Sequence, residues 1–269
     1  MPVARFQKII LPLRNLGSIR KAVVLSLTLL AAASQVFAAS VSLNPAADAL
    51  VATGSSGALA NNNYGSAGSL ALSAAALSKG EFQSVLRFDT STAKTTFDAL
   101  YGPGAWTLQS ITLQLSASTV NNAIFNANAA GSFNIGWLQN DSWTEGTGTP
   151  NAPGASGITY NSLLGTFTTP GADEALGTYS YNGASTGTFT YSLGLSGGFW
   201  SDTAAGNLVS LRLTAADNVV SFLSSSVQFG TAANRPLLTI TAIPEPSTLS
   251  LLALCGGTLA LFVRRKSRA

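Results

Sequence analysis

Asp141 and Glu145 stand four positions apart with Trp143 between them, in the run Asn140-Asp141-Ser142-Trp143-Thr144-Glu145-Gly146. Two carboxylates can hydrolyse a glycosidic bond without histidine, one protonating the leaving oxygen and the other serving as base or nucleophile. The same residues suit binding without turnover: an aromatic face meets sugar C–H groups while Asn, Asp and Glu hydrogen-bond the hydroxyls. Tyr64, Tyr160 and Trp200 are further aromatics of that kind. Other chemistry is closed. The chain has no His, and its one Cys, Cys255, lies near the C-terminus, so a Ser-His-Asp triad, an imidazole metal site, a disulfide within the chain and a Cys-rich zinc site are all excluded. No run has the Asp-x-Asp-x-Asp-Gly form of a calcium loop, so neither a metal nor a cofactor is expected.

These residues have structural roles to weigh against the chemical ones. A tryptophan in a loop beside a β-sandwich more often covers one end of the core than offers a platform to a ligand, and Trp143 is open to both roles. Trp106 and Trp137 fall at strand positions and belong to the core. Asp141 and Glu145 have no evident positioned partner, so binding without catalysis is the expectation and a glycosidase or lyase the alternative. Asp173-Glu174 reads as a solvated turn.

The elements that position these residues are strands. Ile111, Leu113 and Leu115 alternate with polar neighbours, and so do Phe189, Tyr191, Leu193 and Leu195. The same period of two recurs at Phe82–Phe88, Phe133–Trp137, Val209–Leu213 and Leu238–Ala242, with shorter runs at Asp48–Thr53, Leu70–Ser73, Leu176–Tyr181 and Val219–Leu223. About ten short strands between Gly, Asn and Pro turns predict an all-β chain with one antiparallel β-sandwich or jelly roll. Thr95–Tyr101 and Gly198–Ala205 are expected as short helical caps, and Asn140–Gly157 as one long surface loop. Arg87 is expected to pair with Asp89 or Asp48, and Arg212 with Asp217.

The two ends differ from the middle. Arg5, Lys8, Arg14, Arg20 and Lys21 precede the apolar run Ala22–Ala33 and the small residues around Val36-Phe37-Ala38, the layout of a secretory signal peptide over residues 1–39. At the other end Pro244-Glu245-Pro246 is followed by an apolar stretch, predicted as a transmembrane helix over 248–263, and by the basic tail 264–269. The +3 formal charge belongs to these ends: nine of the fourteen cations lie there, which leaves five against ten acids and about −5 on residues 40–243. With only Lys79, Arg87, Lys94, Arg212 and Arg235 in the middle, nucleic acid is not an expected partner.

The run PEPSTLSLLALCGGTLALFVRRKSRA over 244–269 resembles the PEP-CTERM sorting signal of Gram-negative bacteria. The leader at 1–39 makes the Sec translocon and signal peptidase expected partners, while the resemblance implies recognition by exosortase, a membrane-embedded transpeptidase, with cleavage near Glu245. Pro244, Glu245 and Pro246 would be substrate residues of that enzyme, and the membrane a transient partner through the C-terminal helix. The expected destination is the cell surface or the extracellular space.

A second resemblance rests on the order of short motifs: Asp48-Ala49-Leu50-Val51, Asn63-Tyr64-Gly65-Ser66, Val85-Leu86-Arg87-Phe88-Asp89, Asp141-Ser142-Trp143-Thr144-Glu145-Gly146 and Asn234-Arg235-Pro236-Leu237-Leu238. In this order they are similar to the DNRLRE domain, a β-sandwich like a carbohydrate-binding module. It departs from the family at Thr149-Pro150-Asn151-Ala152-Pro153, where that family has Thr-Trp-Asn-Asn-Pro. The resemblance implies a non-catalytic module for extracellular polysaccharide; by residue type, Trp143, Glu145, Asp141, Tyr64 and Trp200 are its candidate glycan-binding residues.

Overall fold

Alternating apolar and polar residues become strands where one face can be shut away from water, and two facing sheets accomplish this here. The computed structural model describes residues 37–119, 124–125 and 128–245. Ala38–Glu245 make one compact unit. Four strands, β1 (Ala39–Leu43), β5 (Trp106–Ser116), β8 (Thr188–Leu193) and β11 (Leu237–Pro244), form one sheet in the order β1-β11-β5-β8. Seven form the other: β2 (Ala47–Ala52), β3 (Ser69–Ser73), β4 (Phe82–Asp89), β6 (Gly131–Leu138), β7 (Glu174–Tyr181), β9 (Leu208–Ala215) and β10 (Ser221–Ser225). Their order is β10-β3-β4-β9-β6-β7, with β2 also paired to β4. The pairings are antiparallel throughout, so the described unit is a β-sandwich.

The main core lies between the sheets. Ile111, Leu113 and Leu115 of β5 join Leu238 and Ile240 of β11, and meet Leu86 and Phe88 of β4, Leu211 and Leu213 of β9, and Phe133 and Ile135 of β6. Phe133 sets its ring edge-on to Tyr191 and Phe222, each at 5.2 Å between centroids, a geometry that favours aromatic pairs. Trp106 and Trp137 are buried in this core, as their strand positions predict. The helix Ser91–Tyr101 contributes Ala93 and Phe97, and the helix Gly197–Ala205 contributes Phe199.

The predicted surface loop 140–157 is corrected by the structure. The connection after β6 folds back over the outer face of the larger sheet, and its Trp143, Ile158 and Leu163 bury a second core with Ala47, Ala49, Val51, Val85 and Leu138. A third cluster joins Leu50, Ala52, Tyr64, Ala71, Phe82, Phe125 and Leu223. Strand β2 is therefore buried at all six positions, because both of its faces are covered. Next to it, the buried Ser84 hydroxyl donates to the Ala71 carbonyl at 2.8 Å and accepts from the Ala71 amide at 2.9 Å, taking the place of a backbone partner for β3.

Other local expectations also change. Strand β1 went unforeseen, and Asp173-Glu174 is no free turn: Asp173 accepts from the amides of Gln139 and Thr169, and Glu174 accepts from those of Gly198 and Phe199, capping a helix. Arg212 does not meet Asp217; its Nε donates to Gln83 Oε1 at 2.8 Å, while Asp217 accepts backbone amides. Among the described residues no helix is long and apolar enough to cross a membrane. The predicted span 248–263, the basic tail and nearly all of the predicted leader lie outside the described residues.

Candidate functional site

Four of the segments singled out in the sequence meet at the outer face of the larger sheet. Asn63 is fully buried there and uses every polar atom of its side chain. Its Nδ2 donates to the carbonyls of Glu145 at 2.6 Å and Ile158 at 2.8 Å, and its Oδ1 accepts from the amides of Gly65 and Gly148. Its backbone pairs with Gly154 in both directions. The approach is so close that a Cβ at Gly65 would stand 2.1 Å from the Glu145 carbonyl oxygen, and one at Gly148 would stand 1.9 Å from that of Asn63. Glycine is needed at both positions to let the backbones meet.

Arg87 projects from β4 under the same connection. The expected carboxylate pairing is replaced: Nη1 donates to the carbonyl oxygens of Asp141 at 2.7 Å and Trp143 at 2.6 Å. The guanidinium also lies 4.8 Å from the centre of a Trp143 ring, within the range of a cation–π contact. Trp143 is wholly buried and its Nε1 donates to Ser210 Oγ at 2.9 Å, so its ring offers no face to a ligand. Its place is that of a peg fixing the connection to the sheet.

The two carboxylates are held by different partners. Burial pushes the Asp141 carboxyl up to about 6; nearby Asp202 adds to the rise, while Ser210 and Arg87 oppose it. Glu145 Oε1 accepts from the Asp48 amide at 3.1 Å and from Gln228 Nε2. Asp48 itself is fully buried, with Oδ2 accepting from the Val227 amide at 2.7 Å and Oδ1 accepting nothing. Burial, reinforced by Glu145 and opposed by the Val227 amide, pushes the Asp48 carboxyl up to about 7.

Tyr64 is buried in the third cluster, and its hydroxyl accepts from Asn62. Tyr160 donates to Glu81 Oε2 at 2.6 Å, and burial together with that carboxylate raises its phenol far above the ordinary range. Trp200, on the helix Gly197–Ala205, is 38% exposed, so of the four aromatic candidates it keeps the most accessible ring. Asp202 follows two residues later and accepts from Asn207 Nδ2 at 2.9 Å, which places polar groups beside that helix. Asn63 stood in the sequence only as part of a motif with no role of its own, and Ser210 and Gln228 carried no signal. The available signal was the set of glycines at 146, 148, 154 and 157, all four of which lie close against Asn63.

The first two residues of the Pro-Glu-Pro triplet continue the smaller sheet. Pro244 is opposite Trp106, and the Glu245 amide donates to the Ala105 carbonyl at 2.9 Å. Pro246 lies outside the described residues. Residues 242–266 match the PEP-CTERM protein-sorting motif, a match that begins inside β11. The motif implies an exported protein, with exosortase as its processing partner and a transient C-terminal anchor. Among curated proteins, none matches the chain.

Proposed function

We propose that this chain is an exosortase-processed protein of the cell surface or extracellular matrix whose β-sandwich has a non-catalytic role, binding polysaccharide or adhering within the matrix. The observation that carries this reading is the position of the sorting motif: it starts in the last strand of the sandwich, so the sandwich is the cargo that sorting delivers. The domain is acidic and rich in hydroxyl and amide side chains, which suits a neutral polymer better than an anionic one. Trp200 supplies an accessible ring for sugar C–H contacts. A hydrolytic role draws no support from Asp141 and Glu145, which stand in different surroundings: Glu145 accepts from the Asp48 amide and Gln228, while Asp141 Oδ1 is buried without a donor.

Affinity electrophoresis of the full chain in detergent, through gels containing exopolysaccharide from the producing cells, tests the binding role. Retardation that is lost in Trp200→Ala supports it; unretarded migration in every polymer eliminates glycan binding. Sorting is tested by replacing Pro244, Glu245 and Pro246 with alanine. The variant should stay uncleaved in the inner membrane, and normal release would overturn the sorting assignment.

A further inference from the structure

We propose that Asp48 and Glu145 together hold a divalent cation of the calcium type beside β2, where the Asp48 main chain meets Glu145, an inference independent of the glycan reading. Asp48 Oδ1 is fully buried and accepts no hydrogen bond, although an ionised carboxylate oxygen in that position needs a partner. The donors on hand are taken by other atoms. The Val227 amide serves Asp48 Oδ2, while the Asp48 amide and Gln228 Nε2 both serve Glu145 Oε1. Asp48 Oδ1 remains as a buried oxygen acceptor that no described donor fills, and Glu145 is the carboxylate that meets its main chain.

Charge points the same way. The ion pair among the described residues is Lys94–Asp98, and neither Asp48 nor Glu145 shares in it. Asp48 is buried with Glu145 close by and no Lys or Arg paired to it, a setting costly to an ionised carboxylate unless something positive joins it. Hard oxygen donors suit calcium, which accepts carboxylates, backbone carbonyls and water in a flexible shell of about 6–8. The described residues gather no group of three or more acidic, His or Cys side chains. Carbonyls and solvent would therefore complete the shell, and affinity would be modest.

The site is also built in advance. Asn63 fixes the Glu145 main chain through its carbonyl, and Gly65 comes close enough to hold it there. The turn Ser226–Phe229, closed by the Phe229 amide on the Ser226 carbonyl, presents Val227 and Gln228 to the two carboxylates. The expectation of no metal came from the absence of a contiguous calcium loop. The ligands here are separated by 97 positions, which no local motif records.

Calorimetry with CaCl2 on the EDTA-treated full chain in detergent tests this, together with thermal unfolding. The expected affinity is on the order of 10⁻⁴–10⁻³ M, as in extracellular modules. At ~10 mM CaCl2 the wild-type Tm should rise by about 3–10 °C. Asp48→Asn and the more exposed Glu145→Gln should each weaken binding by about tenfold or more and shrink the Tm rise, whereas distal Glu174→Gln should leave both unchanged. A folded wild type that shows neither heat nor a Tm change with CaCl2, MgCl2 or MnCl2 would overturn the proposal and leave Asp48 carrying a proton. An undiminished calcium response in Glu145→Gln would overturn it too, by placing the ion elsewhere.

Discussion

Asn63 donates through Nδ2 to the carbonyl oxygen of Glu145 at 2.6 Å, across 82 positions of sequence. With its bonds to Ile158, Gly65 and Gly148, this contact ties the connection after β6 to the turn before β3. Asn63→Ala would leave two carbonyls and two amides short of partners in a buried place. A loss of about 3 kcal/mol is expected, read from urea unfolding. A loss under ~0.5 kcal/mol would show that the connection stays docked without Asn63.

Trp143 and Trp200 separate stability from binding. Trp143→Ala removes a fully buried ring and the bond to Ser210, and should cost about 3–5 kcal/mol. Trp200→Ala should change stability by no more than ~1 kcal/mol while abolishing retardation in polysaccharide gels. The reverse pattern, with Trp143→Phe losing retention at unchanged stability, would refute this division.

Asp141 gives stability a dependence on pH. Its folded carboxyl is raised by burial to about 6 from 3.8, so the folded chain keeps this proton longer than the unfolded one. The contribution is full below about pH 4 and is lost as pH rises towards 6, because the unfolded state ionises first. The group is only partly buried, and after solvent screening the loss is about 1 kcal/mol. Subtracting the stability curve of Asp141→Asn from that of the wild type should show this fall; a flat difference between pH 4 and 6 contradicts it.

Ser84→Ala should cost about 2 kcal/mol, since both the amide and the carbonyl of Ala71 lose a buried partner. Hydrogen exchange at Ala71 should accelerate relative to amides of β5. Unaltered protection there would mean that β3 finds another partner for that amide.

Sequence revealed the strands whose two faces meet different surroundings. Ile111, Leu113 and Leu115 alternate cleanly because β5 has the core on one side and a more open face on the other. Strand β2, expected only as a shorter run at Asp48–Thr53, lacks that clean alternation, since the connection and the third cluster cover it on both faces. The site was harder to read. Asp48, Asn63, Arg87, Trp143 and Glu145 were all within quoted motifs, yet their roles come from partners tens of residues away. Arg87 illustrates the limit: its chemistry suggests a carboxylate, while the folded connection offers two backbone carbonyls whose positions no residue type encodes.

Strand β11 lies between β1 and β5, and it is the last strand of the sandwich in sequence. Its side chains join the beginning of the domain to the end, as in the Ser40–Thr241 hydroxyl pair, separated by 201 positions. For a chain threaded outward from its N-terminus, this arrangement acts as a clock. In such a chain β1 and β5 lack their shared neighbour until the residues bordering the sorting motif arrive, so the smaller sheet can close only then. Completion of the fold and presentation of the tail to its processing enzyme thus fall in the same late interval.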